Sequence, residues 1–338
     1  GYDCGDRRHG RGMACQVEAK KCGGADGSLE YDAGVGSVRN DTLAKLTNSD
    51  EEGKSMRLMR LLPLLAIAAC QADVTEEQVH GLGAVLASQP VDVQARYSYR
   101  HPKETLEFFG IEAGMTVVEG LPGGGWYTKL LLPYLGEEGT VIAADYALEM
   151  FPLFSFGTEE FVAERSQWPV TFKAEAAEWR GDSGAGIETM RFGSMPDEFV
   201  GTADAVLFAR VLHNLARFED QGGYLTTALN DVYRALKPGG VFGVVQHHAR
   251  DDKSDDWADG SRGYLKKSFV IAHAEQAGFV FEAESSINEN PADQPGDDDV
   301  VWRLPPSLSG SDDAPERKAA MQAIGESNRM TLRFRKPE

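Results

Sequence analysis

Cysteine is scarce in this chain and misplaced for any role in its body. All four cysteines, Cys4, Cys15, Cys22 and Cys70, fall in the first seventy of 338 residues. The rest of the chain therefore has no disulfide framework and no thiolate metal site. The spacing of the first three fits no common zinc pattern. Long apolar runs are missing too. The strongest, Leu61 to Ala69, is too short to span a bilayer as a helix. Positive charge is also short, with 34 basic against 53 acidic side chains and a net charge of −19. The first seventy residues hold equal numbers of each, so residues 71–338 keep the whole excess. Such a surface repels phosphate backbones and excludes nucleic acid as a partner. It also argues against adhesion to anionic lipid beyond a covalent anchor.

What is present begins with a composition normal for a folded protein, 42% hydrophobic and 26% charged. Residues 1–55 show no apolar periodicity and read as disordered or as a non-native upstream segment. Met56-Arg57-Leu58-Met59-Arg60 reads as a start with a basic n-region, followed by Leu61 to Ala69 and Ile67-Ala68-Ala69-Cys70. That stretch, 56–70, resembles a lipoprotein signal peptide, with Cys70 the lipidated residue and a periplasmic, membrane-anchored product. A short buried helix in a cytoplasmic protein is the alternative. Residues 71–95 read as a lead-in helix and linker. There Thr75-Glu76-Glu77-Gln78 forms a capping box and Val79, Leu82, Val85 and Leu86 an apolar stripe.

From Arg96 onward the elements alternate. Pro102 starts a helix through Phe109 whose Leu106 and Phe109 face a sheet. Seven β-rich runs follow: Met115 to Val118, Thr140 to Ala144, Ile187 to Phe192, Ala203 to Ala209, Val241 to Gln246, Phe279 to Ala283 and Met330 to Arg335. Helical patterns separate most of them, including Phe151 to Arg165 as helix or lid, Gln221 to Leu236, and Lys266 to Ala277. Lys237-Pro238-Gly239-Gly240 reads as a turn into the fifth run.

The first two runs enclose the most informative stretch. Glu119 is followed by Gly120-Leu121-Pro122-Gly123-Gly124-Gly125, then by a helix carrying Leu130, Leu131 and Leu135, then by a strand ending in Asp145. Glycine permits a sharp strand-to-helix turn and lets a ligand approach the backbone. Unpaired N–H groups at the helix start favour an anionic group. An acid at the tip of the next strand can accept from ribose hydroxyls. An adenosine-containing cofactor fits. A P-loop is excluded because Trp126-Tyr127 stand where Lys-Ser/Thr is needed, and the dinucleotide fingerprint lacks its third glycine at Thr128.

The acid followed by spaced glycines, Glu119 with Gly123 and Gly125, resembles motif I of class I S-adenosylmethionine-dependent methyltransferases. Leu121 departs from it at the first glycine. The form Leu121-Pro122-Gly123-Gly124-Gly125-Trp126-Tyr127-Thr128 is similar to a largely uncharacterised family of bacterial predicted methyltransferases. Leu236-Lys237-Pro238-Gly239-Gly240 before a strand and Arg210-Val211-Leu212-His213-Asn214-Leu215 after the fourth strand resemble superfamily motifs. The resemblance covers residues 96–338. It implies an α/β, class I methyltransferase-like three-layer sandwich with a mostly parallel seven-stranded sheet and an antiparallel last strand. It implies S-adenosylmethionine as cofactor and a small-molecule methyl acceptor. Glu119, Gly123 and Gly125 would meet the methionine end, Asp145 the ribose, and Ser194 or Met195 the adenine edge. Arg100, Pro102, Glu104 and Leu106 would help cover the cofactor, or form a plain entry helix.

His213 and His247 stand just past the fourth and fifth strands, on the cleft side. They are the candidate bases, His213 first, or else hydrogen-bonded structural residues. His248 points the other way. Asp251, Asp252, Asp255, Asp256 and Asp259 read as a solvated loop, as do Asp297-Asp298-Asp299. No metal site is expected. The alternative function is an exported, non-catalytic binding lipoprotein on the same fold.

Overall fold

A computed structural model describes residues 81–338. The upstream segment 1–55, the signal-like stretch 56–70 and the capping box at Thr75 lie outside the described residues.

Alternating β-rich and helical stretches give a sheet with helices on both faces. Helix α1 (Leu82–Ser88) and α2 (Pro102–Phe109) precede β1 (Thr116–Gly120). Then come α3 (Thr128–Leu135), β2 (Thr140–Asp145), α4 (Glu159–Ser166), α5 (Trp168–Arg180), β3 (Gly186–Arg191) and β4 (Ala203–Ala209). The chain continues through α6 (Leu212–Arg217), α7 (Tyr224–Ala235), β5 (Leu236–His247), α8 (Lys267–Gln276), β6 (Val280–Ser285), α9 (Pro315–Ile324) and β7 (Arg329–Arg335). The strand order is β3-β2-β1-β4-β5-β7-β6 in one seven-stranded sheet. Strands β1 to β5 pair in parallel, and β7 runs antiparallel to both β5 and β6. This is the expected class I methyltransferase-like architecture, antiparallel last strand included.

Strand alternation divides the core between two faces. Val118, Ile142, Val206, Phe208, Phe242 and Val244 join α7 and α8 on one face. Val117, Val141, Ala205, Leu207 and Val245 join α1, α2, α3 and α5 on the other, with Leu106 and Phe109 fully buried there. Lys237 to Gly240 is not a free turn. The four residues are taken up in a register shift between Leu236 and Val241 within β5.

Parallel strands put all their carboxyl ends on one edge, where ligands bind in open α/β sheets. Two insertions cover that edge. Residues 248–266, after β5, and 286–328, between β6 and β7, meet in a separate apolar cluster of Ala249, Trp257, Ala258, Tyr264, Val301 and Trp302. Asp293 anchors the second insertion. It pairs with Arg303 at 2.7 Å, accepts from the Tyr264 hydroxyl at 3.0 Å and from the Asn328 amide at 3.0 Å. The aspartates of the first insertion stay solvated, with Asp252 on Arg250 (2.6 Å) and Asp255 on Lys266 (2.7 Å). Among the described residues no cluster of metal ligands forms, and no helix is long and apolar enough to cross a membrane.

Candidate functional site

Strand β1 ends at Glu119 and Gly120, and the chain turns at once. A Cβ on Gly120 would lie 2.6 Å from the Phe208 ring of β4, so only glycine lets the two strands pack. Leu121 takes the place of the first motif glycine, yet it keeps a glycine-like backbone at φ 48°. Its N–H donates to Ala144 O of β2 at 2.7 Å, which pins that conformation. A β-branched or bulky residue rarely adopts it, and the neighbouring strands hold it here.

The two glycines of the expected motif differ. Gly123, at φ 57°, has nothing within 4 Å of a Cβ position and faces open space. Gly125, at φ 76°, has the Trp179 ring 2.1 Å from that position. Gly125 is therefore required by packing against α5. The backbone N–H groups of Gly123, Gly124 and Trp126 make no hydrogen bond among the described residues. They provide the anion-accepting donors expected of such a turn.

Glu119 braces the turn from below. Its buried carboxyl accepts the Thr128 hydroxyl at 2.6 Å, joining the end of β1 to the start of α3. Burial pushes its pKa up to about 7, against the opposing hydrogen bonds from Thr128. Asp145, at the tip of β2, is wholly buried and already engaged. Arg165 of α4 grips both carboxylate oxygens at 2.9 and 2.8 Å, and Arg191 of β3 adds a contact at 2.8 Å. A ribose diol has to displace one of them.

Ser194 and Met195, after β3, differ in their surroundings. The Gly193 N–H donates to Asp231 of α7 at 2.6 Å, so the chain turns down the sheet face after β3. Ser194 is exposed and meets Arg191 O at 3.5 Å, while Met195 packs into the core. The expected adenine contact receives no support from this turn.

Both candidate bases do reach the carboxyl edge, one strand apart, with ring centroids separated by 5.5 Å. His213, in the first turn of α6, has Gln246 Nε2 3.5 Å from Nδ1 and Trp302 5.9 Å from its ring. His247 pairs through Nδ1 with Ser327 Oγ at 2.6 Å. Burial pulls His213 down to about 4, with Arg210 and Arg217 adding to the shift and Gln246 opposing it. Burial, then His213 and the arginines around it, also holds His247 well below its usual value. Both are neutral at pH 7 and weaker bases than an exposed imidazole, contrary to the near-neutral titration expected from sequence. His248, by contrast, forms an isolated bridge with Leu265 outside the cleft.

Several buried polar atoms near this edge lack partners among the described residues: Trp126 Nε1, Asn214 Oδ1, Gln246 Oε1, Arg100 Nη2 and Arg329 Nε. Their grouping at one edge marks a place built for a polar ligand. Sequence reasoning offered Arg100 as part of a cover over the cofactor but missed Arg329, which comes from the far end of the described chain. Arg100 also lies over the Trp126 ring, 4.4 Å from its centroid, so the segment ahead of α2 covers the glycine turn. A cavity of about 320 Å³ lies elsewhere, at the amino edge between Phe109, Met115, Asp204 and Gly240. Position and chemistry, rather than volume, locate the site.

No protein-family profile matches the chain. No curated protein matches it either. Solved structures do resemble it. A SAM dependent methyltransferase from Aquifex aeolicus shares 18% identity, over 59% of this chain and 93% of that one, at a TM-score of 0.37. An arsenic(III) S-adenosylmethionine methyltransferase from Chlamydomonas reinhardtii shares 18% identity, over 76% and 73%, at 0.36. The cyclase SpnF shares 14%, over 70% and 80%, at 0.41. At such identities the likeness is one of fold alone.

Proposed function

We propose that the chain binds S-adenosylmethionine at the carboxyl edge of β1 and transfers its methyl group to a small molecule. The observation that carries the reading is the glycine turn, with three unpaired backbone N–H groups above a buried acid. The residues fit the cofactor. Gly123, Gly124 and Trp126 amides would receive its carboxylate. Glu119 would balance its ammonium, and Asp145 would take the ribose once Arg165 yields. When bound, the sulfonium supplies an electrophilic methyl group. The chain's own part is to align an acceptor, exclude water beneath the Trp302 and Tyr264 cap, and take up a proton at His213 or His247.

The test is calorimetric titration of the full chain with S-adenosylmethionine and S-adenosylhomocysteine. Binding of both is expected. Gly123→Asp should abolish it at the cost of about 1–2 kcal/mol of backbone strain at φ 57°, which Asp tolerates better than most residues, because its side chain enters open space and places negative charge where the carboxylate approaches. Failure of the parent to bind at millimolar ligand sinks the reading.

One observation favours a second reading. Asp145 is saturated by two arginines, which suits a fold that has given up turnover. In that case the protein is a non-catalytic binding module, exported and anchored through Cys70. A chain that binds the cofactor yet shows no transfer across a screen of small acceptors with labelled cofactor supports this version.

A further inference from the structure

Four arginines meet at the carboxyl edge around a single carboxylate. Arg96 and Arg100 come from the segment ahead of α2, Arg329 opens β7, and Arg210 ends the run of β4. Glu326 binds three of them, with Arg96 Nε at 2.9 Å, Arg100 Nε at 3.2 Å and Arg329 Nη1 at 3.0 Å. Burial alone would raise the Glu326 carboxyl, but the surrounding arginines hold it at about 2, so it is fully charged. One negative charge thus faces four positive ones.

The fourth positive charge is the informative one. The Arg210 side chain makes no hydrogen bond or ion pair among the described residues, although the residue is part-buried. Burial, with Arg96 and Arg329 adding to it and Glu326 opposing, lowers its pKa to about 10. Its backbone is held at φ 65°, and its N–H donates to Val245 O at 2.7 Å. A strained backbone that presents an unpaired cation has a cost, and such costs gather at functional sites. Two more donors aim into the same group without acceptors, Arg100 Nη2 and Arg329 Nε, on residues only 2% and 3% exposed. Planar guanidinium donors in this number suit a group with several anionic oxygens.

We propose that this arginine group binds a carboxylate or phosphate of the methyl acceptor, with Arg210 as its principal contact and Arg100 and Arg329 completing the grip. The acceptor is then an anionic small molecule. The word acceptor rests on the reading above; the anion site does not. Held there, the ligand stands beside His213 and His247, whose electrostatic surroundings include Arg210. The cofactor's own carboxylate is the other source of the same chemistry, since Arg100 lies over Trp126 of the glycine turn.

Inorganic phosphate and S-adenosylhomocysteine separate these cases in the full chain. Phosphate is expected to bind and to raise the melting temperature. Arg210→Gln should weaken phosphate binding by about tenfold or more, the worth of one charged hydrogen bond. Its unliganded melting temperature should hold or rise, since no bond is lost and a like charge is removed. Arg210→Lys should recover part of the affinity. S-adenosylhomocysteine should bind equally well to the parent and to Arg210→Gln, with or without saturating phosphate. If phosphate instead competes with S-adenosylhomocysteine, and Arg210→Gln weakens that ligand but not methylthioadenosine, the group serves the cofactor and the acceptor assignment is overturned. Absence of any phosphate effect on the parent overturns the anion site itself. Phosphate binding that depends on Arg210 in a chain that ignores S-adenosylhomocysteine upholds the anion site and refutes the cofactor reading.

Discussion

Glu119 is a carboxyl group that folding makes harder to ionise, and this gives stability a pH dependence of definite sign. Its pKa in the folded chain is about 7, above the model-peptide value of 4.5. Below the lower value it is protonated in both states, and its contribution is fully present. As pH rises through 7 the folded state must ionise a buried group, and that contribution is lost. Glu119→Gln removes the dependence. Thermal melts should show the parent losing stability relative to Glu119→Gln between pH 5 and pH 8, by at most about 3 kcal/mol. Parallel curves for the two proteins would refute the assignment. At this scale the sequence was half legible. The acid before the glycines and the two histidines past β4 and β5 stand out as residues in a pattern. The protonation of His213 was not legible, because it depends first on burial, and the rings packed near it include Trp302, nearly ninety residues away in the chain.

Helix α5, like α9, is an element that sequence reasoning passed over. Its apolar stripe is thin, with only Trp168, Phe172 and Ala176 buried. Polar residues surround them, and Gly181 to Gly184 blurs the end. Yet α5 decides why Gly125 is glycine, through Trp179. Helix α4 beside it fills only the second half of the stretch expected as helix or lid, Phe151 to Arg165; a 3-10 turn, Leu148–Leu153, takes the first part, and α4 buries no residue of its own. Its Arg165, with Arg191, is what closes Asp145. Arg165→Gln should therefore free a carboxylate oxygen while Arg191 still neutralises the charge. If Asp145 takes the ribose, S-adenosylhomocysteine should bind Arg165→Gln about tenfold more tightly, the scale of one charged hydrogen bond. Calorimetry reads this directly. Weaker binding by the variant means that the arginine pair shapes the site, and that Asp145 is a structural acid.

At the scale of the whole molecule, two distant segments of the described chain, around Arg96 and around Glu326, meet at the carboxyl edge. The alternation of strands and helices made the strands of the sheet legible from the sequence, and the antiparallel last strand followed from the family resemblance. The cap over that edge was not legible, because its two insertions have little regular structure and meet only in space. Strand β7 does two tasks. It is the partner of β6 in the sheet, and it brings Arg329 to the site just after Glu326. A chain ended after Ile324 should lose the cooperative melting transition by circular dichroism. It leaves β6 without a neighbour and Arg96 and Arg100 without the Glu326 counter-charge, and a single broken buried pair of this kind costs about 3–5 kcal/mol. A sharp melt in the shortened chain would show that the first five strands fold alone.

That arrangement sets the order of events during synthesis. The bond between Arg96 and Glu326 spans 230 positions, so it can form only after nearly all of the described chain has left the ribosome. Until then β5 is an open, apolar edge, and the arginines ahead of α2 repel one another without relief. Contacts of such separation fold slowly, and an unpaired edge invites association with other nascent chains. The last strand to emerge is therefore the one that ends the chain's exposure to aggregation, and a chaperone that binds exposed strand edges would be released only when it arrives.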